Sequence, residues 1–274
     1  MTKEFNPLPA AAGGIVVPRP CVVTWVVPVL NEEHRIASSI PKLAGALDGI
    51  QELGRNWEIV VADNGSTDGT SQEAARISAR DGRVRCLRME ERGRGRALRR
   101  AWSESDAEAL AYADVDLSTD LRHLPELLLA VWRGECDVAI GSRLVPGARI
   151  RRGWLRGTLS RVYNVLTRLL LRTRIRDLQC GFKVIRGTVA RQLLPLVDND
   201  HWFFDTELVI LAERAGFRVR EFPVRWVEDT DSRVRVWSTV DEDLRGITRL
   251  RRELPSKVRQ CRQRADFKGK GNLD

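Results

Sequence analysis

The sequence predicts an α/β fold built on a single, mostly parallel open sheet flanked by helices, and three observations predict it. Short β-branched runs alternate with longer helical stretches from Cys21 to Ser142, which is the signature of βαβ units. The strand segments read as near-continuous apolar runs, as parallel strands buried on both faces do. Each polar cluster follows a strand, and open α/β sheets bind their ligands at the carboxyl ends of strands.

The elements follow in order. Val22 to Val27 reads as the first strand and Ile36 to Leu53 as a helix, with Pro41 tolerable near its start. Trp57 to Ala62 is the second strand, closed by Asp63-Asn64-Gly65-Ser66-Thr67-Asp68-Gly69, a run suited to left-handed backbone and to side-chain-to-backbone bonds. Thr70 to Arg80 is helical and Val84 to Met89 is the third strand. After a Gly/Arg loop, Arg96 to Ser105 is a helix, Ala109 to Val115 the fourth strand, Leu121 to Trp132 a helix and Asp137 to Ser142 the fifth strand.

The second half is less regular. Gly157 to Arg172 reads as an amphipathic helix with Leu159, Val162, Leu166, Leu169 and Leu170 on one side. From Trp237 the spacing of Val240, Leu244, Ile247, Leu250 and Leu254 predicts a C-terminal amphipathic helix. The expected organisation is a flexible leader over 1–20, one domain over 21–254 and a basic flexible tail over 255–274.

Composition narrows the function classes. No apolar run approaches the roughly 20 residues that span a bilayer, and Met1 to Pro20 lacks the basic-then-apolar pattern of a signal peptide. The five cysteines are scattered and form no Cys-x-x-Cys pair, which argues against a zinc site or a disulfide framework and fits a reducing cytoplasm. Lys and Arg outnumber Asp and Glu by 46 to 37, a net charge of +9, which favours phosphates, acidic lipid headgroups or nucleic acid as partners. No helix-turn-helix, aromatic ladder or zinc site supports nucleic acid, so none is expected.

The chemistry concentrates in Tyr112-Ala113-Asp114-Val115-Asp116-Leu117-Ser118. Two carboxylates two residues apart at a strand end can reach one hard cation, Mg²⁺ or Mn²⁺, of the kind that bridges a diphosphate. Alone, such a triplet is more often a solvated loop. Its context is Pro28-Val29-Leu30-Asn31-Glu32-Glu33 after the first strand and Asp63-Asn64-Gly65-Ser66 after the second.

Together these three segments resemble the inverting family 2 glycosyltransferases, whose fold is the GT-A fold. Further matches are Arg92-Gly93-Arg94-Gly95-Arg96, with arginine where the family's Gly-Lys-Gly loop usually has lysine, and Gly141-Ser142-Arg143. Asp177-Leu178-Gln179-Cys180-Gly181-Phe182-Lys183, Trp202-Phe203-Phe204-Asp205-Thr206-Glu207, Val224-Arg225-Trp226 and Ser232-Arg233 look most like the dolichyl-phosphate β-glucosyltransferases and their polyprenyl-phosphate relatives. The likeness runs from about Val22 to Arg252.

The resemblance implies transfer of a hexose, glucose favoured, from a nucleotide-diphosphate sugar to a polyprenyl phosphate with inversion. It leans to UDP-glucose over GDP-mannose. It implies nucleotide-sugar contacts at Pro28, Asn31, Glu32, Asp63, Gly65, Ser66, Arg94, Asp114 and Val115, and a metal held by Asp116 with Asp114. Arg143 is the leading grip on the acceptor phosphate, with a structural ion pair as its alternative. Arg156 and Ser160, four apart and so on one helix face, match the relatives' acceptor-phosphate region; ordinary helix decoration is the other reading.

Asp177 and Lys183 either hold their loop or line the sugar site. Asp205 and Glu207 alternate as on a strand or stand as acids in the first turn of a helix. Arg225 and Arg233 complete the acceptor candidates. Many polyprenyl-phosphate relatives carry transmembrane helices at one end, and this sequence shows none. The expectation is therefore a cytoplasmic protein, peripheral on the inner face of an anionic membrane, with Trp154 and Trp237 as candidates for that surface. A soluble acceptor is the alternative.

Overall fold

A computed structural model describes residues 22–151, 164–228 and 236–270. Nine strands are seen among them: β1 (Val23–Val29), β2 (Trp57–Asn64), β3 (Val84–Met89), β4 (Ala109–Ala113), β5 (Val138–Ser142), β6 (Arg149–Arg151), β7 (Phe182–Arg186), β8 (Val219–Pro223) and β9 (Arg225–Val227). The helices are α1 (Glu33–Asp48), α2 (Thr70–Arg80), α3 (Arg94–Ser103), α4 (Leu124–Trp132), α5 (164–171), α6 (Gly187–Leu193), α7 (Phe204–Ala215) and α8 (Val236–Lys270). Seven strands form one sheet in the order β3-β2-β1-β4-β7-β5-β8, and β6 pairs with β9 in a separate ribbon.

The sheet is mostly parallel, as the apolar strand runs require. Val23, Trp25, Val26, Ile59, Val60 and Val61 are all sealed from solvent. The departure is β7, which runs antiparallel to both β4 and β5. Its reversal has a consequence for the site: the start of β7 lies beside the end of β4, with Ala113 opposite Phe182. The segment that ends at Gly181 thereby reaches the same edge as the acidic loop, and the Asp114 amide donates to the Gly181 carbonyl at 3.1 Å.

That approach depends on a missing side chain. A Cβ on Gly181 would overlap the Asp114 carboxylate. Aromatic packing fixes the sheet around this point, with Trp25 against Phe182 at 5.5 Å between ring centroids and Trp102 against Tyr112 at 6.0 Å.

Two expectations are corrected. The first helix runs Glu33–Asp48, and the chain turns at Gly49, so Ile50 and Leu53 reach the core from a turn and not from the helix. The tail expected to be flexible from residue 255 is helical to Lys270. Burial explains it: Lys257 and Cys261 are among the buried residues, and α8 packs on α7.

An ion cluster joins those two helices. Glu207, fully buried in the first turn of α7, accepts from Lys257 Nζ at 2.6 Å, Arg249 Nη2 at 2.7 Å and the Asn199 amide at 3.0 Å. Lys257 also donates to the Leu196 carbonyl at 2.7 Å and to Asp198 at 2.5 Å. Removing one member of a buried ion pair leaves the others uncompensated, which typically costs about 3–5 kcal/mol. Glu207→Ala should therefore lower the urea midpoint by that equivalent, and a midpoint within about 0.5 kcal/mol of wild type would show the cluster to be inert.

Candidate active site

The loops after β1 and β2 are built as one unit. Asn31 has a left-handed backbone (φ 58°) and Gly65 likewise (φ 77°). The Asn31 amide donates to Ser66 Oγ at 2.9 Å, and the Thr67 amide donates to Asn31 Oδ1 at 2.8 Å. The Glu32 amide donates to Thr70 Oγ1 at 2.9 Å, while Glu33 accepts from the Gly69 amide at 2.6 Å. Asp63 is fully buried; its Oδ1 accepts from the Ser66 amide at 2.9 Å and its Oδ2 from the Ser71 hydroxyl. Its carboxylate shapes the turn that carries Gly65 and Ser66. Pro28 sits within β1, one residue before the strand's end.

At the end of β4, Val115 packs inward at 9% exposure, Asp114 is half-buried and Asp116 is exposed. Leu117 takes a left-handed turn (φ 48°), and Asp116 Oδ1 accepts from the Ser118 amide at 3.0 Å. The chain bends here, which puts both carboxylates on one cleft with Ser118, Gly181, Phe182 and Trp226.

Behind Asp114 lies a buried charge network. Arg94, only 8% exposed, donates through Nη2 to Asp114 Oδ1 at 2.7 Å and through Nη1 to Asp205 Oδ2 at 2.5 Å. Its guanidinium lies between the rings of Tyr112 (5.0 Å) and Trp202 (4.9 Å). Asp205 Oδ1 accepts from Lys183 Nζ at 2.8 Å and from the Tyr112 hydroxyl. Lys183 also donates to the Cys180 carbonyl at 2.7 Å. Burial pushes the Tyr112 phenol up, and the Asp205 charge pushes it the same way, so it stays a donor.

Arginine at position 94 has a geometric reason. A planar fork can hold two carboxylates on two separate nitrogens, whereas lysine is a point charge. Arg94 was expected to touch the nucleotide; the structure puts its fork between Asp114 and Asp205. Tyr112 was not singled out as a functional residue. The signal for it was a lone phenol in the apolar strand Ala-Leu-Ala-Tyr-Ala, since a buried hydroxyl needs a partner.

A second pair stands beside Trp226, which lines the cleft. Arg143 Nε and Nη2 each donate to Asp177 at 2.8 Å, and the Arg143 amide donates to the same carboxylate at 2.9 Å. Asp177 is fully buried, and the Arg143 guanidinium lies 5.5 Å from the Trp226 ring centre. The ion pair set beside the phosphate-grip reading is thus present, and it aims the arginine at the cleft wall. Glu207 stands apart, in the α7–α8 cluster. Arg225 is exposed on β9, its amide donating to His123 Nε2 at 2.9 Å. Arg156, Ser160 and Arg233 lie outside the described residues, as does Trp154.

The donor set fits a hard divalent cation that brings its own company. Among the described residues no group of three or more His, Cys, Asp or Glu could enclose a metal. Mg²⁺ and Mn²⁺ sites at diphosphates commonly use one or two carboxylates and complete the shell with water and phosphate oxygens. Asp114 and Asp116 meet that requirement, with Asp114 Oδ2 facing the glycine at 181 and Oδ1 held by Arg94.

The two buried carboxylates also set a pH dependence. Burial raises the Asp205 carboxyl, but the charges of Lys183 and Arg94 outweigh it and hold the group below its ordinary value. Burial likewise raises Asp177, and Arg143 overrides it downward. A lowered folded-state value gives stability that is present above the ordinary Asp value of about 3.9 and lost as pH falls below it. In urea titrations from about pH 7 to about pH 3, Asp205→Asn and Asp177→Asn should each show a shallower decline than wild type. Parallel declines would mean these groups titrate alike in the folded and unfolded chain.

Comparison with known proteins agrees with this geometry. Residues 24–194 match the family model described as Glycosyl transferase family 2. Glycosyltransferase AglD of Haloferax volcanii is 40% identical over 232 residues, which cover 84% of this chain but only 36% of AglD. The dolichyl-phosphate beta-glucosyltransferase of Drosophila melanogaster is 34% identical over 222 residues, covering 76% of this chain and 68% of that protein. In fold, the chain is similar to glucosyl-3-phosphoglycerate synthase of Mycobacterium tuberculosis, solved with Mn²⁺, UDP-glucose and phosphoglyceric acid. The TM-score is 0.60 at 19% identity, covering 88% of this chain and 79% of that one. With its acidic strand ends set on a mostly parallel GT-A sheet, the chain belongs to glycosyl transferase family 2.

Proposed function

We propose that the protein is an inverting hexosyltransferase that moves glucose from UDP-glucose to a polyprenyl (dolichyl-type) phosphate. The observation that carries this reading is the placement of Asp114 and Asp116 on a cleft lined by Trp226, with the Arg143 guanidinium 5.5 Å from that ring's centre. The dolichyl-phosphate glucosyltransferases among the relatives support the acceptor and the sugar. GDP-mannose is the disfavoured donor. No helix among the described residues is long and apolar enough to cross a membrane, and a peripheral place on the inner, anionic face of the membrane suits the reading.

The chemistry asks for little beyond positioning. A phosphate acceptor is already anionic at neutral pH, so no side chain has to remove its proton. The difficulty is bringing two anions together, and fixed cations meet it. Arg143, aimed by Asp177, provides one, and its fork suits a phosphate. The Asn31–Ser66 and Glu32–Thr70 contacts frame the nucleotide end, and Asp114 is fixed from behind by Arg94. Mg²⁺ or Mn²⁺ held by Asp116 and Asp114 would offset the charge that develops on the departing diphosphate.

Three measurements test this. Asp116→Asn should lower transfer on the order of 10²-fold or more with an unchanged circular dichroism spectrum; retained activity refutes the role of Asp116. UDP should bind far more tightly with Mg²⁺ or Mn²⁺ than with chelator, and equal binding removes the metal from the account. With labelled UDP-glucose and a short polyprenyl phosphate, the label should enter the organic phase. Label confined to a water-soluble product would favour the second reading, the same donor chemistry with a soluble acceptor.

A further inference from the structure

The β6–β9 ribbon has a charge pattern that the fold itself does not use. The two strands pair in parallel, with Arg149 opposite Arg225, Ile150 opposite Trp226 and Arg151 opposite Val227. Successive side chains on a strand point to opposite faces. Trp226 lines the acidic cleft, so Arg225 and Val227 face away from it, and the register places Arg149 and Arg151 beside them. All four are exposed, as is Ile150. Side chains at paired positions lie close together, and like charges there are destabilising. Among the described residues none of these three guanidinium groups has an ion-pair partner. Glu228, the acid next to the ribbon, donates its amide to the Arg151 carbonyl at 2.8 Å.

The ribbon is also tied to the acidic loop. The Val227 amide donates to the Ser118 carbonyl at 2.9 Å and the Asp120 amide to the Arg225 carbonyl at 3.0 Å. Its outer face therefore stands directly behind the wall of the cleft.

We infer that this face is the protein's seat on an anionic bilayer: Arg149, Arg151 and Arg225 meet lipid phosphates, and Val227 enters the headgroup layer. Arginines that repel one another and have no ion-pair partner among the described residues attract phosphate counter-charge. An open two-stranded face with an exposed valine among its arginines suits an extended surface more than an enclosed ligand. The inference deepens the proposed reading, because a polyprenyl acceptor resides in a bilayer and this seat would hold the cleft within one ribbon's thickness of it.

Flotation of the full chain tests it, using phosphatidylglycerol–phosphatidylcholine vesicles and phosphatidylcholine vesicles, both without polyprenyl phosphate. Wild type should float with the anionic vesicles only, and less so as salt rises. R149Q/R151Q should bind about 30-fold more weakly, and R149K/R151K should recover binding. Transfer to a short polyprenyl phosphate in detergent should proceed at the wild-type rate in both variants. Binding by R149Q/R151Q equal to wild type, no flotation of wild type, or equal flotation with neutral lipid would each overturn the inference. Flotation that persists while wild type transfers nothing to polyprenyl phosphate would overturn the acceptor reading and leave the ribbon's role standing.

Discussion

The site depends on one buried contact, the fork of Arg94 between Asp114 and Asp205. That guanidinium joins the start of α3, the end of β4 and the first turn of α7, and through Asp205 it reaches Lys183 on β7. Two cations and two carboxylates balance, which a nearly sealed site requires. Without Arg94, Asp205 would keep Lys183 but Asp114 would lose the partner that fixes its orientation. The aromatic walls of Tyr112 and Trp202 restrict the guanidinium to that geometry. The half-buried end of the network, Asp114, opens on the cleft proposed for the chemistry.

Much of the parallel half of the fold was legible because its signals are local. Thr70–Arg80 and Val84–Met89 begin and end where periodicity and apolar runs put them, and the acidic and Asn-rich strand ends announce themselves in short segments. Strand β7 was not legible. Its sequence, Phe-Lys-Val-Ile-Arg, carries a lysine whose burial only Asp205 and Tyr112 make tolerable, and its direction is set by neighbours far away in the chain. The three-residue strands of the ribbon are too short for any period to show. Its polar, basic composition made the end of α8 read as a tail, because the acids nearest Lys257, Asp198 and Glu207, lie on other elements.

The candidate site shows the same division. Asp114 and Asp116 stand out in the sequence only in company, at a strand end that follows the Asn31-Glu32 and Asp63-to-Ser66 segments. The pairing of Arg94 with Asp205 joins residues 111 apart, and no local pattern encodes it. Arg143 and Asp177 were both singled out, yet only the structure shows that one orients the other. Glu207 illustrates the reverse. It stands two residues from Asp205 in the first turn of α7, but the helix turns it toward α8, where it joins two helices and not the cleft.

If the proposed site is right, residues away from the ligand set the acidic loop's capacity to hold a metal–nucleotide pair. Calorimetric titration of Mn²⁺ with UDP into wild type and Asp205→Asn at neutral pH tests this, because Asp205 is 2% exposed and its carboxylate reaches that of Asp114 through Arg94. Outer-layer partners of metal ligands typically change affinity by about 10- to 100-fold. The account predicts a loss in that range from a variant that remains folded. Unchanged affinity would contradict it and leave the buried network as scaffolding alone.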